Sequence, residues 1–217
     1  MDYFLNQLWI SRFALVEGFL RTIEISILSI TFGTLAGLAI GVALTYGRLP
    51  LRLLSRVYVD VIRGTPVLVL VLACFYMPSV FRVSLEALTA GVLALTLFCA
   101  AHIAEILRGA LIAIPPGQME AARSIGLTFP KILAYVLMPQ ALRTILPTWI
   151  NTGAELVKAS TLVSIIGVGE LLLKTQEIVG RNFLTLDFYV FAGLLYLAVN
   201  YGIERLGKTI ERRVTQA

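Results

Sequence analysis

Charge is scarce in this chain: only 14% of its 217 residues are Asp, Glu, Lys or Arg, against about a quarter in ordinary soluble domains. There is one histidine, His102, and there are two cysteines, Cys74 and Cys99, each inside an apolar run. So few cysteines, so placed, exclude a disulfide scaffold and a Cys-based zinc site. A lone histidine leaves little ligand or acid–base chemistry, and no metal is implied. Gly202-Ile203-Glu204-Arg205-Leu206-Gly207-Lys208-Thr209 spells Gly-x-x-x-x-Gly-Lys-Thr, but it continues the last apolar run with no strand ahead of it, so it is not read as a phosphate cradle. No Gly-x-Ser-x-Gly and no carboxylate cluster occur, which leaves a membrane-embedded enzyme without a catalytic set.

What is there is hydrocarbon. The chain is 58% hydrophobic with a mean hydropathy of +0.87, the composition of an all-α, polytopic membrane protein. Each span takes about 20 residues, so four to six of them would use nearly the whole length and leave no room for a separate soluble domain. The net charge of +5 fits a basic bias at the membrane surface and does not imply nucleic acid. Asp2 precedes every basic residue, and Glu17, Arg21 and Glu24 interrupt the first apolar stretch. A removable signal peptide is therefore not expected.

Five spans are predicted. The first covers about Thr22 to Tyr46 and carries Gly33, Gly37 and Gly41 on one small-residue face, suited to close helix packing or simply to small volume against lipid. The second extends the short run Pro66 to Met77 with Val57 to Gly64, giving one oblique helix with Asp60 and Arg63 at one end. The third is Leu88 to Ile112, stopped by Pro115-Pro116-Gly117. Pro139 and Pro147 break the next segment, which predicts a short interfacial piece before a span over Leu142 to Ser164. The last is Phe188 to Leu206.

Orientation follows from the basic residues, which short cytoplasmic loops retain. With the amino terminus outside, inner loops and tail hold 12 of the 18 Lys and Arg residues, and outer segments hold 5. Lys158 falls within the fourth span. The basic run from Glu204 to Arg213 reads as a helix end at an anionic inner leaflet. The polar loop at about 113–139 is then cytoplasmic. Within it, Glu120 suits the positive end of a helix, Ala121 and Ala122 are strong helix formers of little bulk, and Gly126 can take a left-handed stop. This describes a two-turn helix able to enter a groove. An interfacial helix lying on headgroups would instead separate Trp, Phe and Lys onto opposite faces.

Glu120-Ala121-Ala122, then Gly126 four positions on, then Val136-Leu137-Met138-Pro139 resembles the EAA signature of ABC importer permeases. Val136 and Met138 stand where that signature has Ile and Leu. The likeness extends through Thr22-Ile23-Glu24-Ile25-Ser26, Arg63-Gly64-Thr65-Pro66, Ala104-Glu105-Ile106-Leu107-Arg108-Gly109 and Ser164 to Leu171, and with Gln140-Ala141-Leu142-Arg143 it points to the branch that takes up polar amino acids. The resemblance implies a type I importer permease fold, one transmembrane domain over 1–217 in a bacterial inner membrane, and ATPase docking through Glu120, Ala121, Ala122 and Gly126. It also implies partners: a cytoplasmic ATPase dimer, a second permease subunit of the same or another chain, an external amino-acid-binding protein, and surrounding lipid. ATP and Mg would sit on the ATPase, with no cofactor on this chain.

Buried ionisable groups mark the substrate path, since each is costly in lipid. Glu155 and Lys158 fall on one helix face, and with Ser160, Thr161 and Ser164 they could meet the charged groups of an amino acid, or could simply neutralise each other between helices. Arg63 and Thr65 of the second span join the candidate path. Glu24 and Glu105 are expected to pair with Arg21 and Arg108. His102 is expected to bond a neighbouring helix rather than relay protons. Ala159 and Leu70 replace polar residues common in the amino-acid branch, which weakens a cationic cargo held by this chain alone. The rival from another class is an ion-coupled secondary carrier relaying protons or sodium through Glu24, His102, Glu105, Glu155 and Lys158. Such carriers usually show two related halves, and these five spans show no repeat.

Overall fold

The computed structural model describes residues 2–215, with side chains from 3 to 211. The side chains of Arg212 and Arg213, part of the basic tail, lie outside the described residues. Every regular element among them is helical: α1 (Asp2–Tyr46), α2 (Leu49–Gly64), α3 (Val67–Val80), α4 (Ala87–Ala113), α5 (Pro116–Ser124), α6 (Phe129–Ile132), α7 (Met138–Ala159), α8 (Leu171–Asn182) and α9 (Thr185–Thr215). A π-helical turn at Leu133–Leu137 joins α6 to α7, and a 3-10 segment at Ser160–Ile166 extends α7. Three helices are long and apolar enough to cross a membrane by themselves, and five spans result if each of two bent pairs counts as one.

α1 and α4 form the spine. A Cβ on Gly33 would lie 2.4 Å from the Cβ of Cys99, one on Gly37 would lie 2.6 Å from that of Ile103, and one on Gly41 would lie 2.8 Å from the Ala104 carbonyl oxygen. The glycine face is thus a packing face, and side chains there would push the two helices apart. Around it Ile25, Leu95, Ile103 and Leu156 make the main core.

Three expectations need correction. α1 starts about twenty residues before Thr22, because Arg21 and Glu24 satisfy each other at 2.8 Å and Leu15, with Phe4, Leu8 and Phe19, packs on Phe188 and Leu171. The second span is not one oblique helix: α2 and α3 meet at 110°. Thr65 is held extended (φ −101°, ψ 132°), the conformation imposed on a residue before proline, so the helix cannot run through Pro66. Conversely, the prolines of the fourth span break nothing. The π turn, in which Met138 N–H reaches the Leu133 carbonyl, absorbs Pro139 and its missing donor, and Pro147 sits inside α7. The third span matches α4 to within a residue, and the fifth lies inside α9.

Candidate functional site

The loop helix is built as its residues suggest. Ile114, ahead of Pro115, is extended, which ends α4, and Pro116 occupies the first turn of α5, where no backbone donor is missed. Gly126 stops α5 at φ +81°. Its N–H bonds the Arg123 carbonyl at 2.9 Å while that of Leu127 bonds Ala122 at 3.1 Å, the double bond pattern of a Schellman cap. Ala122 is 5% exposed and packs with Leu107, Leu111, Ile132 and Leu137. Glu120, Ala121 and Gly126 face outward, beside Ile125, which is 77% exposed. The two alanines therefore do different things: Ala122 fastens α5 to the base of α4, and Ala121 is presented. Phe129 braces the far side edge-on against Tyr46, with centroids 5.3 Å apart.

α7 carries the second feature. Ala141, Ile145, Leu156 and Val157 are buried, whereas Thr144, Thr148, Asn151, Glu155 and Lys158 are all exposed. Their spacings of three and four residues place them on one face of the helix. Glu155 and Lys158 form no ion pair with each other or with any other described residue, so within this chain they do not neutralise each other. Ser160 and Ser164 do not extend that face, while part-exposed Thr161 follows Lys158 by three residues. Each hydroxyl donates to a carbonyl three residues back, on Val157, Lys158 and Thr161, at 2.8, 2.7 and 2.6 Å. Ser160 and Ser164 are buried. Such local bonds compete with the helix ladder and accompany its tightening into 3-10 form.

At the α2–α3 bend, Thr65 Oγ1 donates to the Val61 carbonyl at 2.7 Å, and Arg63 is exposed without a hydrogen bond or ion pair. Leu70 lies in the main core, so a polar residue there would face the interior of the subunit. Glu105 pairs with Arg108 through two contacts, one of 3.0 Å to Nε, and reaches Arg56 of α2 at 3.5 Å. The expected pairs Arg21–Glu24 and Glu105–Arg108 both form. His102 Nδ1 lies 2.9 Å from the Phe98 carbonyl of its own helix, where a neighbouring helix was expected to supply the partner. Cys74 and Cys99 are free.

One polar centre was missed. Glu170 is fully buried and takes hydrogen bonds from the N–H groups of Leu172 (3.0 Å) and Leu173 (2.9 Å) and from Tyr196 Oη (2.6 Å). It caps α8 at its N-terminus. The sequence signal was slight: the Gly167-Val168-Gly169 break marked a helix start, but glutamate is not among the favoured capping residues.

Comparison with known proteins follows the same lines. Residues 29–216 match the family described as binding-protein-dependent transport system inner membrane component. The L-cystine transport system permease protein TcyB of Bacillus subtilis is 38% identical over 198 residues, covering 91% of this chain and 85% of that protein. The glutamine transport system permease protein GlnP of Escherichia coli K12 is 33% identical over 216 residues, 99% of each. Among solved structures, one chain of a crystal structure of an amino acid ABC transporter with histidines superposes with a TM-score of 0.88 at 33% identity, covering 97% of this chain and 98% of its own. A chain of the methionine transporter MetNI in an inward-facing conformation gives 0.81 at 26% identity, with 93% and 96% covered.

Proposed function

The chain belongs to the family of binding-protein-dependent transport system inner membrane components, and from that premise we propose that it is the permease of an importer for polar amino acids or closely related solutes, driven by ATP hydrolysis on a separate cytoplasmic subunit. The observation that carries the coupling role is α5: a short helix capped at Gly126, fastened through Ala122, with Glu120, Ala121 and Ile125 turned outward. An apolar side chain as open as Ile125 beside a flat alanine face suits a groove on a protein partner. Closure of a paired ATPase would pull α5, and α5 is tied to α4, so displacement passes into the spine formed with α1. ATP and Mg belong to that partner, and this chain binds neither.

The cargo side is argued from α7. A charge facing lipid at mid-membrane costs about 2.5–3.5 kcal/mol or more, so Glu155 and Lys158 do not face acyl chains. They face water in a transport path, a second permease subunit, or both, with Thr144, Thr148 and Asn151 continuing the polar row. An ammonium and a carboxylate exposed one turn apart complement the two charges of an amino acid. Arg63 and Thr65 border the same path at the α2–α3 bend. An external binding protein delivers cargo to the face opposite α5. The amino terminus lies outside and the carboxyl terminus in the cytoplasm, which puts α5 and most of the basic residues inside. Relatives named for cystine and glutamine support amino acids as the class, and family membership disfavours the ion-coupled carrier.

Gentle extraction of the tagged chain with a non-hydrolysable ATP analogue, followed by mass spectrometry, tests the reading. Recovery of about one ATPase per permease chain is expected. Recovery of this chain alone in several mild detergents would overturn it.

A further inference from the structure

Apart from Arg63 at its last turn, α2 belongs neither to the coupling loop nor to the polar face of α7, and its surface divides in a way neither role requires. Ser55, Val59 and Ile62 turn inward, with Val59 against Leu44 of α1 and Ala104 of α4. Arg48, at the start of the helix, Arg52 and Arg56 follow at four-residue spacing on one flank, and Pro50, Leu54, Val57 and Val61 run along the other. At 3.6 residues per turn the two rows lie on nearly opposite sides. Leu54 is 69% exposed, Val57 60% and Val61 58%. A helix that packs sideways on its neighbours, with an apolar row on one flank and a basic row on the other, has the division an interfacial helix needs.

Depth and direction agree. Arg52 Nη2 donates to the Thr45 carbonyl at 3.3 Å and Val59 packs on Leu44, so α2 crosses α1 at its last turns, where the apolar helix ends at Tyr46. The 110° bend into α3 lays α2 across the direction of that short apolar helix. The arginine charge is only partly used. Arg56 is shared between Glu105 at 3.5 Å and Asp60 at 3.7 Å, and Arg108 engages Glu105. The Arg48 side chain has no hydrogen bond or ion pair, and Arg52 spends a donor on a backbone carbonyl. Five arginines, Arg48, Arg52, Arg56, Arg63 and Arg108, meet two carboxylates here, and Arg48 and Arg52 pair with neither of them.

We propose that α2 lies in the plane of the inner leaflet and that its Arg48–Arg52 end binds the phosphate headgroups of anionic phospholipid, while Leu54, Val57 and Val61 rest against acyl chains. The placement rests on the orientation argued above. The exposed apolar row selects lipid over an acidic protein surface, because a water-soluble partner contacting the arginines would leave that row uncovered.

The test uses the full chain with whatever co-purifies, in nanodiscs of mixed phosphatidylglycerol and phosphatidylcholine, with bound lipids counted by native mass spectrometry. Selective retention of phosphatidylglycerol is expected. Arg48→Gln with Arg52→Gln should weaken it by about 25-fold, from about fivefold per arginine at an anionic surface. Arg48→Lys with Arg52→Lys should keep most of it, which shows that the charge and not the fold is read. Equal retention by the glutamine variant overturns the proposal. Unchanged lipid with loss of a co-purifying protein would assign the arginines to that protein and also overturn it. Labelling of Gly117→Cys reports orientation independently: labelling from the outer side would overturn the inner-leaflet placement even where lipid is retained.

Discussion

Tyr196 of α9 donates a 2.6 Å hydrogen bond to the carboxylate of Glu170, and through it three helices share one buried acceptor. The same carboxylate caps α8. Thr22 of α1 accepts from the Leu171 N–H at 3.2 Å and lies 3.4 Å from Glu170. Gly18 allows the approach, since a Cβ there would lie 3.0 Å from the Leu171 Cα.

Removing the phenol leaves the buried carboxylate one donor short, which costs about 1–3 kcal/mol. Tyr196→Phe is expected to lower the melting temperature of the detergent-solubilised chain by several degrees. Glu170→Ala should lower it more than Glu170→Gln, whose amide can still accept from α8. Differential scanning fluorimetry checks the order, and an unchanged Tyr196→Phe would mean that the contact carries no stability.

Gly37 has backbone and Cβ atoms within 2.8 Å of a would-be side chain, neither able to swing away. Gly37→Ala should cost about 1–3 kcal/mol by forcing α1 from α4. Gly193→Ala, with nothing within 4 Å, should be neutral or gain up to about 1 kcal/mol from helix propensity. Equal losses at both positions would argue against a glycine-packed spine.

At Gly126 the backbone itself is tested. Gly126→Val cannot hold φ +81° without strain, whereas asparagine tolerates that region. Gly126→Val and Ala121→Asp are expected to abolish ATPase recovery while membrane insertion persists, and Gly126→Asn should retain it. Normal recovery with Gly126→Val would count against docking through α5.

Glu155 and Lys158 do not pair within this chain, so exchanging them should not repair the single changes. Glu155→Lys combined with Lys158→Glu is expected to be at least as defective in binding-protein-stimulated ATP hydrolysis in proteoliposomes as either alone. Restoration to near the original rate would show that the two charges meet in another state of the cycle.

Topology gives the simplest check. Reporters after Gly117 and after Arg213 should read as cytoplasmic, and one near Arg181 as external. The reverse pattern would invert every assignment of sides.

Much of this architecture was readable along the chain because it depends on local chemistry. Long apolar runs have no folded alternative that satisfies their backbone in lipid except helix, so α4 and the apolar part of α9 could be placed to within a few residues. A proline fixes its own φ and the conformation of the residue before it, so the end of α4 ahead of Pro115 was legible. So was the α5 stop, because Gly126 pays no steric cost at positive φ. What misled was reading the same cues as though each acted alone. Pro139 and Pro147 were absorbed because packing keeps α7 helical through them, Pro66 was underweighted, and α1 began early because α8 and α9 cover its first half.

The site divides along the same line. Composition and spacing alone determined a helical membrane subunit with a short glycine-stopped loop helix and with Glu155 and Lys158 on one face of its fourth span. Only the folded chain decided that Ala122 is inside and Ala121 outside, that Glu155 and Lys158 stand apart, that Ser160 and Ser164 spend their hydroxyls on their own carbonyls, and that Glu170 is buried. Spacing determines which residues share a helix face. Which face is covered, and by what, depends on helices far away in sequence, as with Thr22 and Tyr196 closing on Glu170.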